Sequence, residues 1–191
     1  MNRQQMDIHW KGPFDWPLPR QDSPLRRMLG VYMTAAEGTT GYVVSGIGLT
    51  KRAVSKRFGE HRREFLKGKY TILDVNAWKK GIREEIWHGM WSGYDSSERK
   101  AEFKRRETEL QEHARTHMQG TSIFVAEVED NRLQHRIEAS YIEVLYTAPK
   151  PYCDLPDRGT HRKPRQTGEV PIVVTNHSDC LFVNLPATVE I

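Results

Sequence analysis

The sequence has little of what builds a secreted or a membrane protein. It contains two cysteines in 191 residues, Cys153 and Cys180, which are too few for a disulfide framework. No apolar stretch approaches the length of a membrane span, and the first ten residues lack the charged-then-apolar order of a signal peptide. We therefore expect a cytoplasmic protein with no membrane partner.

Positive charge is concentrated in one short segment of the chain. The whole sequence carries a net charge of +4, whereas residues 51–67 alone carry +5, with seven lysines and arginines against two glutamates. A solvated helix face is one explanation, and attraction to a phosphate backbone is the other. The predicted nucleic-acid contacts are Lys51, Arg52, Lys56, Arg62 and Arg63 in this segment, and Arg162, Lys163 and Arg165 in a later loop.

The pattern of apolar residues predicts a small mixed core. Two runs rich in valine, tyrosine and isoleucine, at 29–33 and 42–47, flank a glycine-containing loop and predict an antiparallel hairpin. Apolar residues at helical spacing predict helices at 50–67 and 130–146, and the run at 121–127 predicts a third strand. We therefore expect an α/β (α+β) fold with a three-stranded antiparallel sheet flanked by helices.

Four short motifs follow one another along these elements. The first strand contains Gly30-Val31-Tyr32, the second contains Gly46-Ile47-Gly48, and the basic helix carries Arg57 and His61 one turn apart. The later helix carries Glu138 near its apolar stripe. This order resembles the GIY-YIG nuclease family, in particular its homing-endonuclease and restriction-enzyme branches with an Arg-x-x-x-His helix.

The resemblance implies a Mg²⁺-dependent DNA endonuclease (Mn²⁺ being the alternative cation) that hydrolyses phosphodiester bonds and is restriction-like. Glu138 would bind the metal, because carboxylate oxygens suit Mg²⁺. Arg57 would stabilise the charge that develops on the phosphate, since its planar fork matches phosphate oxygens. His61 and Tyr32 would orient or deprotonate water. A homodimer would follow if the cleaved site were palindromic.

The second signature triplet departs from the family at its first position. The family has a tyrosine where this sequence has Gly46. Tyr42 is a candidate second tyrosine, because a spacing of four residues keeps it on the same face of a regular strand. The alternative functions are a catalytically inactive nucleic-acid-binding module on the same scaffold, and a nuclease acting on RNA or branched DNA.

The sequence predicts three consecutive parts of the chain. Residues 1–28 are rich in proline and predict an extended arm, anchored by aromatic side chains, that forms neither helix nor sheet. We expect the nuclease domain at 29–153. Residues 154–191 predict a basic loop followed by a terminal hairpin with strands at 170–175 and 180–185.

A helical insertion is predicted at 69–120 within the nuclease domain. Residues 69–74 form either a short strand or an extended link, and a helix is predicted at 76–88. The aromatic residues of 87–94 favour a small satellite core over a base-stacking surface. A long charged helix is predicted at 95–120, lying on the domain surface, against a partner or along a DNA groove.

Zinc is the less favoured metal. Cys153, His161, His177 and Cys180 are ligand types that suit tetrahedral Zn²⁺. Their spacing is irregular, and neither cysteine belongs to a Cys-x-x-Cys pair. We therefore expect magnesium rather than zinc.

Overall fold

The computed structural model describes residues 3–17, 22–91, 95–152, 155 and 165–191. In these ranges the chain is mixed α/β, with five α-helices and three sheets. The strands are β1 (Gln4–His9), β2 (Lys11–Phe14), β3 (Gly30–Glu37), β4 (Tyr42–Thr50), β5 (Ile72–Leu73), β6 (Glu85–Trp87), β7 (Ser122–Ala126), β8 (Ile172–His177) and β9 (Thr188–Glu190). The helices are α1 (Val54–Leu66), α2 (Val75–Trp78), α3 (Ser97–Arg105), α4 (Glu107–Gln119) and α5 (Asn131–Tyr146), and a 3₁₀ turn lies at Pro24–Arg26.

The central sheet has the strand order β2-β7-β3-β4 and is antiparallel throughout. The predicted hairpin and third strand are present as β3, β4 and β7. The sheet is wider than expected, because β2 adds a fourth strand beside β7. The two helices predicted to flank the sheet are also present, and the Asp130 side chain caps α5 by accepting from the Leu133 amide at 2.8 Å.

The two faces of this sheet pack against different helices. On one face Tyr32 and Val125 pack with Val54 and Phe58 of α1. On the other face the apolar stripe of α5 packs against β3 and β7. That stripe comprises Ile137, Tyr141 and Leu145, and the strand residues that it covers include Val31, Met33, Phe124 and Ala126. β4 and β2 are the two edge strands of this sheet, and β4 contacts α5.

The N-terminal segment does not stay outside the sheets. β1 pairs in parallel with β8, and β2 pairs with β7, so the prediction of an arm without sheet is wrong. β1 contains no proline, and Pro13 is tolerated because β2 is an edge strand. Its aromatic residues do anchor it, since Trp10 is buried and Trp16 packs edge-on against Phe58 at 4.8 Å.

The terminal hairpin forms with a different second strand. β8 pairs with β9 and not with residues 180–185. The backbone of 181–183 instead bonds to Tyr42, whose amide donates to the Leu181 carbonyl at 2.8 Å. Phe182 packs against Phe124, so burial of this ring in the central core determines where the segment lies.

The insertion is less helical than predicted. The helix expected at 76–88 ends at Trp78, because Gly81 adopts a left-handed φ of 79° and the chain returns as β6 to pair with β5. The long charged helix is broken at Arg106 into α3 and α4. Trp87 is buried in the satellite core with Phe103, as the sequence favoured.

The described residues contain no helix with both the length and the apolar character needed to cross a membrane. Arg162, Lys163, Cys153 and His161, which the sequence proposed as nucleic-acid or zinc contacts, lie outside the described residues.

Candidate functional site

A cavity of about 290 Å³ opens between α1, α5, the edge strand β4 and the insertion. All four residues predicted to be catalytic line it, namely Tyr32, Arg57, His61 and Glu138. Tyr32 comes from β3, Arg57 and His61 from one face of α1, and Glu138 from α5. The fold therefore brings to one cavity a tyrosine, a cation, an imidazole and a carboxylate that are up to 106 positions apart.

Tyr32 is the centre of the hydrogen bonds in this cavity. Its hydroxyl oxygen lies 2.8 Å from His61 Nε2, and Arg57 Nε donates to the same oxygen at 3.4 Å. The Phe58 ring packs edge-on against Tyr32 and His61, with ring centroids 5.0 Å and 5.3 Å apart. These contacts fix both rings in place.

The protonation states follow from burial. Burial raises the pKa of Tyr32 more than the neighbouring Arg57 lowers it, so the hydroxyl keeps its proton at neutral pH. Burial and then the Arg57 charge lower the pKa of His61 to about 3, so its imidazole is neutral there. The tautomer with its proton on Nδ1 lets Nε2 accept from the Tyr32 hydroxyl while that hydroxyl accepts from Arg57.

Arg57 is held by an acidic neighbour on its own helix. The Glu60 carboxylate lies 3.4 Å from the Arg57 guanidinium. It also accepts hydrogen bonds from both terminal nitrogens of Arg52, each at 2.8 Å. The Arg52 guanidinium, through hydrogen bonds to the Glu60 side chain, lowers the pKa of that carboxyl. Arg52, which the sequence proposed as a nucleic-acid contact, thus supports the orientation of Arg57 in this structure.

The remaining basic residues proposed around α1 have no acidic partner among the described residues. These are Lys51, Lys56, Arg62 and Arg63. The insertion differs, because Lys104, Arg106 and Arg115 pair with glutamates at 2.6, 2.7 and 3.1 Å. Positive charge without an acidic partner is therefore present on α1 and just before it, whereas the basic residues of α3 and α4 are largely neutralised by neighbouring glutamates. Arg165, from the later loop, lies 3.9 Å from Glu190.

Both glycines of the second triplet face the cavity. Gly48 pairs with Tyr32 and Gly46 pairs with Thr34 across the hairpin. A side chain at Gly48 would overlap the Tyr32 hydroxyl, and a methyl group added at Gly46 would lie 2.6 Å from Thr34 Oγ1. The edge strand therefore cannot carry a large side chain at 46 without displacing Thr34.

Tyr42 does not replace the missing tyrosine. The register of the hairpin shifts between Thr34 and Ala35, so Ser45 is an extra residue that breaks the two-residue alternation of β4. Tyr42 consequently packs against Phe124 at 4.9 Å, in the core beneath the opposite face of the sheet from Gly46. The prediction that both residues share a face is wrong, because it assumed a regular strand.

Tyr70 lines the cavity and was not singled out from the sequence. It lies in the short link between α1 and β5, and its ring contacts His61 and Phe65 with centroids 5.4 Å and 5.3 Å apart. Arg83 and His117 of the insertion reach the same cavity. No local motif marks any of the three, because each is brought there by the way the insertion packs.

The cavity lining contains one carboxylate that could hold a metal ion. Glu138 supplies one carboxylate, and no group of three or more His, Cys, Asp or Glu side chains with metal-site spacing occurs in the described ranges. One carboxylate completed by water and phosphate oxygens is a usual set for Mg²⁺. Of the zinc candidates, His177 Nε2 lies 2.9 Å from Asp7, and Cys180 is a free thiol.

Comparisons of the chain with protein-family models, with curated proteins and with solved structures found no match in any of the three.

Proposed function

We propose that this protein is a Mg²⁺-dependent DNA endonuclease of the GIY-YIG type. The observation that supports it is the common cavity, where the Tyr32–His61 pair, the Arg57 guanidinium and the Glu138 carboxylate meet. The cations without acidic partners on α1, the helix that also carries Arg57 and His61, favour a polyanionic substrate. The sequence-specific, restriction-like character remains part of this proposal and rests on the resemblance alone.

The chemistry divides among the four residues. Glu138 would hold Mg²⁺ or Mn²⁺, which when bound withdraws charge from the scissile phosphate. Arg57 binds a non-bridging phosphate oxygen and stabilises the negative charge of the transition state. The Tyr32 oxygen takes a proton from the attacking water while the hydroxyl proton passes to His61 Nε2. The new P–O bond forms from the water oxygen as the bond to the leaving oxygen breaks.

The low pKa of His61 in the free protein is compatible with this role. The Arg57 charge is one cause of the low value, the first being burial. A bound phosphate would offset the Arg57 charge, because it places negative charge beside the guanidinium. Substrate binding should therefore raise the proton affinity of His61 when a proton must be accepted.

The test is digestion of supercoiled plasmid in Mg²⁺ by the wild type and by Glu138→Ala. We expect nicked or linear DNA from the wild type and a loss of at least about 100-fold in the variant. Glu143→Ala is the matched control, since Glu143 is an exposed carboxylate on the same helix. Equal cleavage by wild type and Glu138→Ala would overturn the proposal.

Gly46 favours a second candidate, a nucleic-acid-binding module that has lost chemistry. Tight binding of DNA by both wild type and Glu138→Ala, without nicking by either, would support it. Cleavage of RNA hairpins or four-way junctions in preference to plasmid would instead identify an enzyme for RNA or branched DNA. Sequencing the cut ends separates sequence-directed from structure-directed cleavage.

A further inference from the structure

The hydroxyl groups of the cavity are not equally engaged. The Tyr32 hydroxyl accepts from Arg57 and lies 2.8 Å from His61 Nε2, so it has two partners within the chain. The Tyr70 hydroxyl makes no hydrogen bond with any residue that the structure describes. Its ring is nevertheless fixed, because His61 and Phe65 pack against it. Tyr70 therefore presents to the cavity a positioned hydroxyl without a hydrogen-bond partner among the described residues.

The electrostatic surroundings of Tyr70 make it a donor. Burial raises the pKa of Tyr70 more than the nearby Arg57 charge lowers it. The hydroxyl thus stays protonated at neutral pH and can donate to an anion. The Arg57 guanidinium and the Tyr70 phenol line the same cavity, so one ligand bound there can contact both.

The wall that β4 forms contributes no tyrosine hydroxyl to the cavity. Thr34 Oγ1 occupies the space that a side chain at Gly46 would need. Position 46 of β4 therefore cannot supply a tyrosine, whereas the link between α1 and β5 contributes the Tyr70 phenol to the same cavity.

We propose that the Tyr70 hydroxyl donates a hydrogen bond to a non-bridging oxygen of the scissile phosphate, beside Arg57. This inference rests on the proposed nuclease function and deepens it, because it assigns to the insertion a residue that touches substrate. It also places the second tyrosine of the site on a different element from the signature hairpin.

The first experiment compares Tyr70→Phe with Tyr42→Phe in steady-state cleavage of a duplex containing a mapped cut site. Tyr42→Phe is the matched control, since it removes a tyrosine hydroxyl outside the cavity. We expect Tyr70→Phe to lower kcat by about 10-fold or more, as for a lost donor to a charged group. KM, duplex binding in Ca²⁺ and the melting temperature should stay close to wild type, because the ring and its packing remain.

The second experiment combines Tyr70→Phe with Arg57→Lys. If both side chains bind the same phosphate, the loss caused by Tyr70→Phe should be smaller in the Arg57→Lys background than in the wild type. Wild-type activity in Tyr70→Phe, or a fall in kcat that matches a fall in melting temperature, would overturn the inference and leave the nuclease intact. Failure of the wild type to cleave under any condition would overturn both.

Discussion

The proposed proton path runs through two side chains, Tyr32 and His61, that touch only in the folded state. Their 2.8 Å contact joins β3 to α1, and Arg57 donates to the same hydroxyl. Tyr32→Phe removes the group that faces water, and His61→Ala removes the acceptor behind it. We expect each variant to lose about 10²- to 10⁴-fold in kcat.

The double variant distinguishes a shared path from two separate roles. If Tyr32 and His61 transfer the same proton, removing either one already abolishes that transfer, and removing the second has no further effect. The double variant should then cleave no more slowly than the slower single variant. Single-turnover cleavage rates at saturating enzyme measure this directly. Multiplied losses would show that Tyr32 and His61 do not transfer the same proton.

At the scale of elements, α1 carries Arg57 and His61, which line the cavity, and it also carries exposed cations without acidic partners among the described residues. Arg63→Ala and Lys56→Ala each remove an exposed cation that has no acidic partner in the described chain. Each should weaken DNA binding and reduce the slope of log K against log salt concentration by about 1. Fluorescence anisotropy across a salt series measures both quantities.

Arg115→Ala is the control for that series. Arg115 is also an exposed arginine on a helix, but Glu112 neutralises it at 3.1 Å. Its removal should leave the slope unchanged. An equal change of slope for Arg115→Ala would place the DNA along α4 as well, which the sequence alone allowed.

The insertion contains a buried histidine, His117, from which we expect sensitivity to acid. His117 packs between Phe65 and Trp78, accepts from the Leu73 amide at 3.2 Å, and has a pKa lowered by burial to about 4. The unfolded chain binds this proton below about pH 6.5, whereas the folded chain does not. The free energy of unfolding should therefore fall as pH drops from about 6.5 to 4, by roughly 3 kcal/mol from this group.

Denaturant titrations of the wild type and of His117→Gln at pH 7, 6 and 5 test that dependence. Glutamine can still accept from the Leu73 amide but does not titrate in this range. The variant should lose less stability between pH 7 and pH 5 than the wild type does. His61 shares the lowered pKa, so some acid sensitivity should persist. Parallel curves for the two proteins would show that His117 does not contribute.

Local signals in the sequence were sufficient for some elements and not for others. The Asp130 cap and the apolar spacing after it predict α5 closely, because both act within one or two turns. The prediction of a helix at 76–88 is wrong beyond Trp78. Gly81 turns the chain, and the following residues pair as β6 with β5 although their apolar spacing is helical. In the site, the four residues that the motifs singled out all line one cavity. The motifs could not predict Tyr70 or exclude Tyr42, since these positions depend on insertion packing and on the bulge at Ser45.

At the scale of the whole molecule, the second sheet joins the two ends of the chain behind the cavity. β1 and β8 are separated by more than 160 residues and pair in parallel, a contact that no local pattern indicates. Asn176 of β8 links this sheet to the core. Its Oδ1 accepts from Trp10 Nε1 at 2.9 Å and from the Tyr141 hydroxyl at 2.7 Å, and its Nδ2 donates to the Pro186 carbonyl at 2.8 Å.

Because Tyr141 belongs to the helix that carries Glu138, we expect Asn176→Ala to destabilise the whole fold. The change leaves the Trp10 and Tyr141 donors without an acceptor, which should lower the free energy of unfolding by about 2–4 kcal/mol. Thermal unfolding should show one transition shifted down by roughly 5–15 °C. His177→Ala, which removes the adjacent exposed side chain, should shift it far less. A separate early transition in Asn176→Ala would instead mean that the β1–β8–β9 sheet unfolds independently of the cavity.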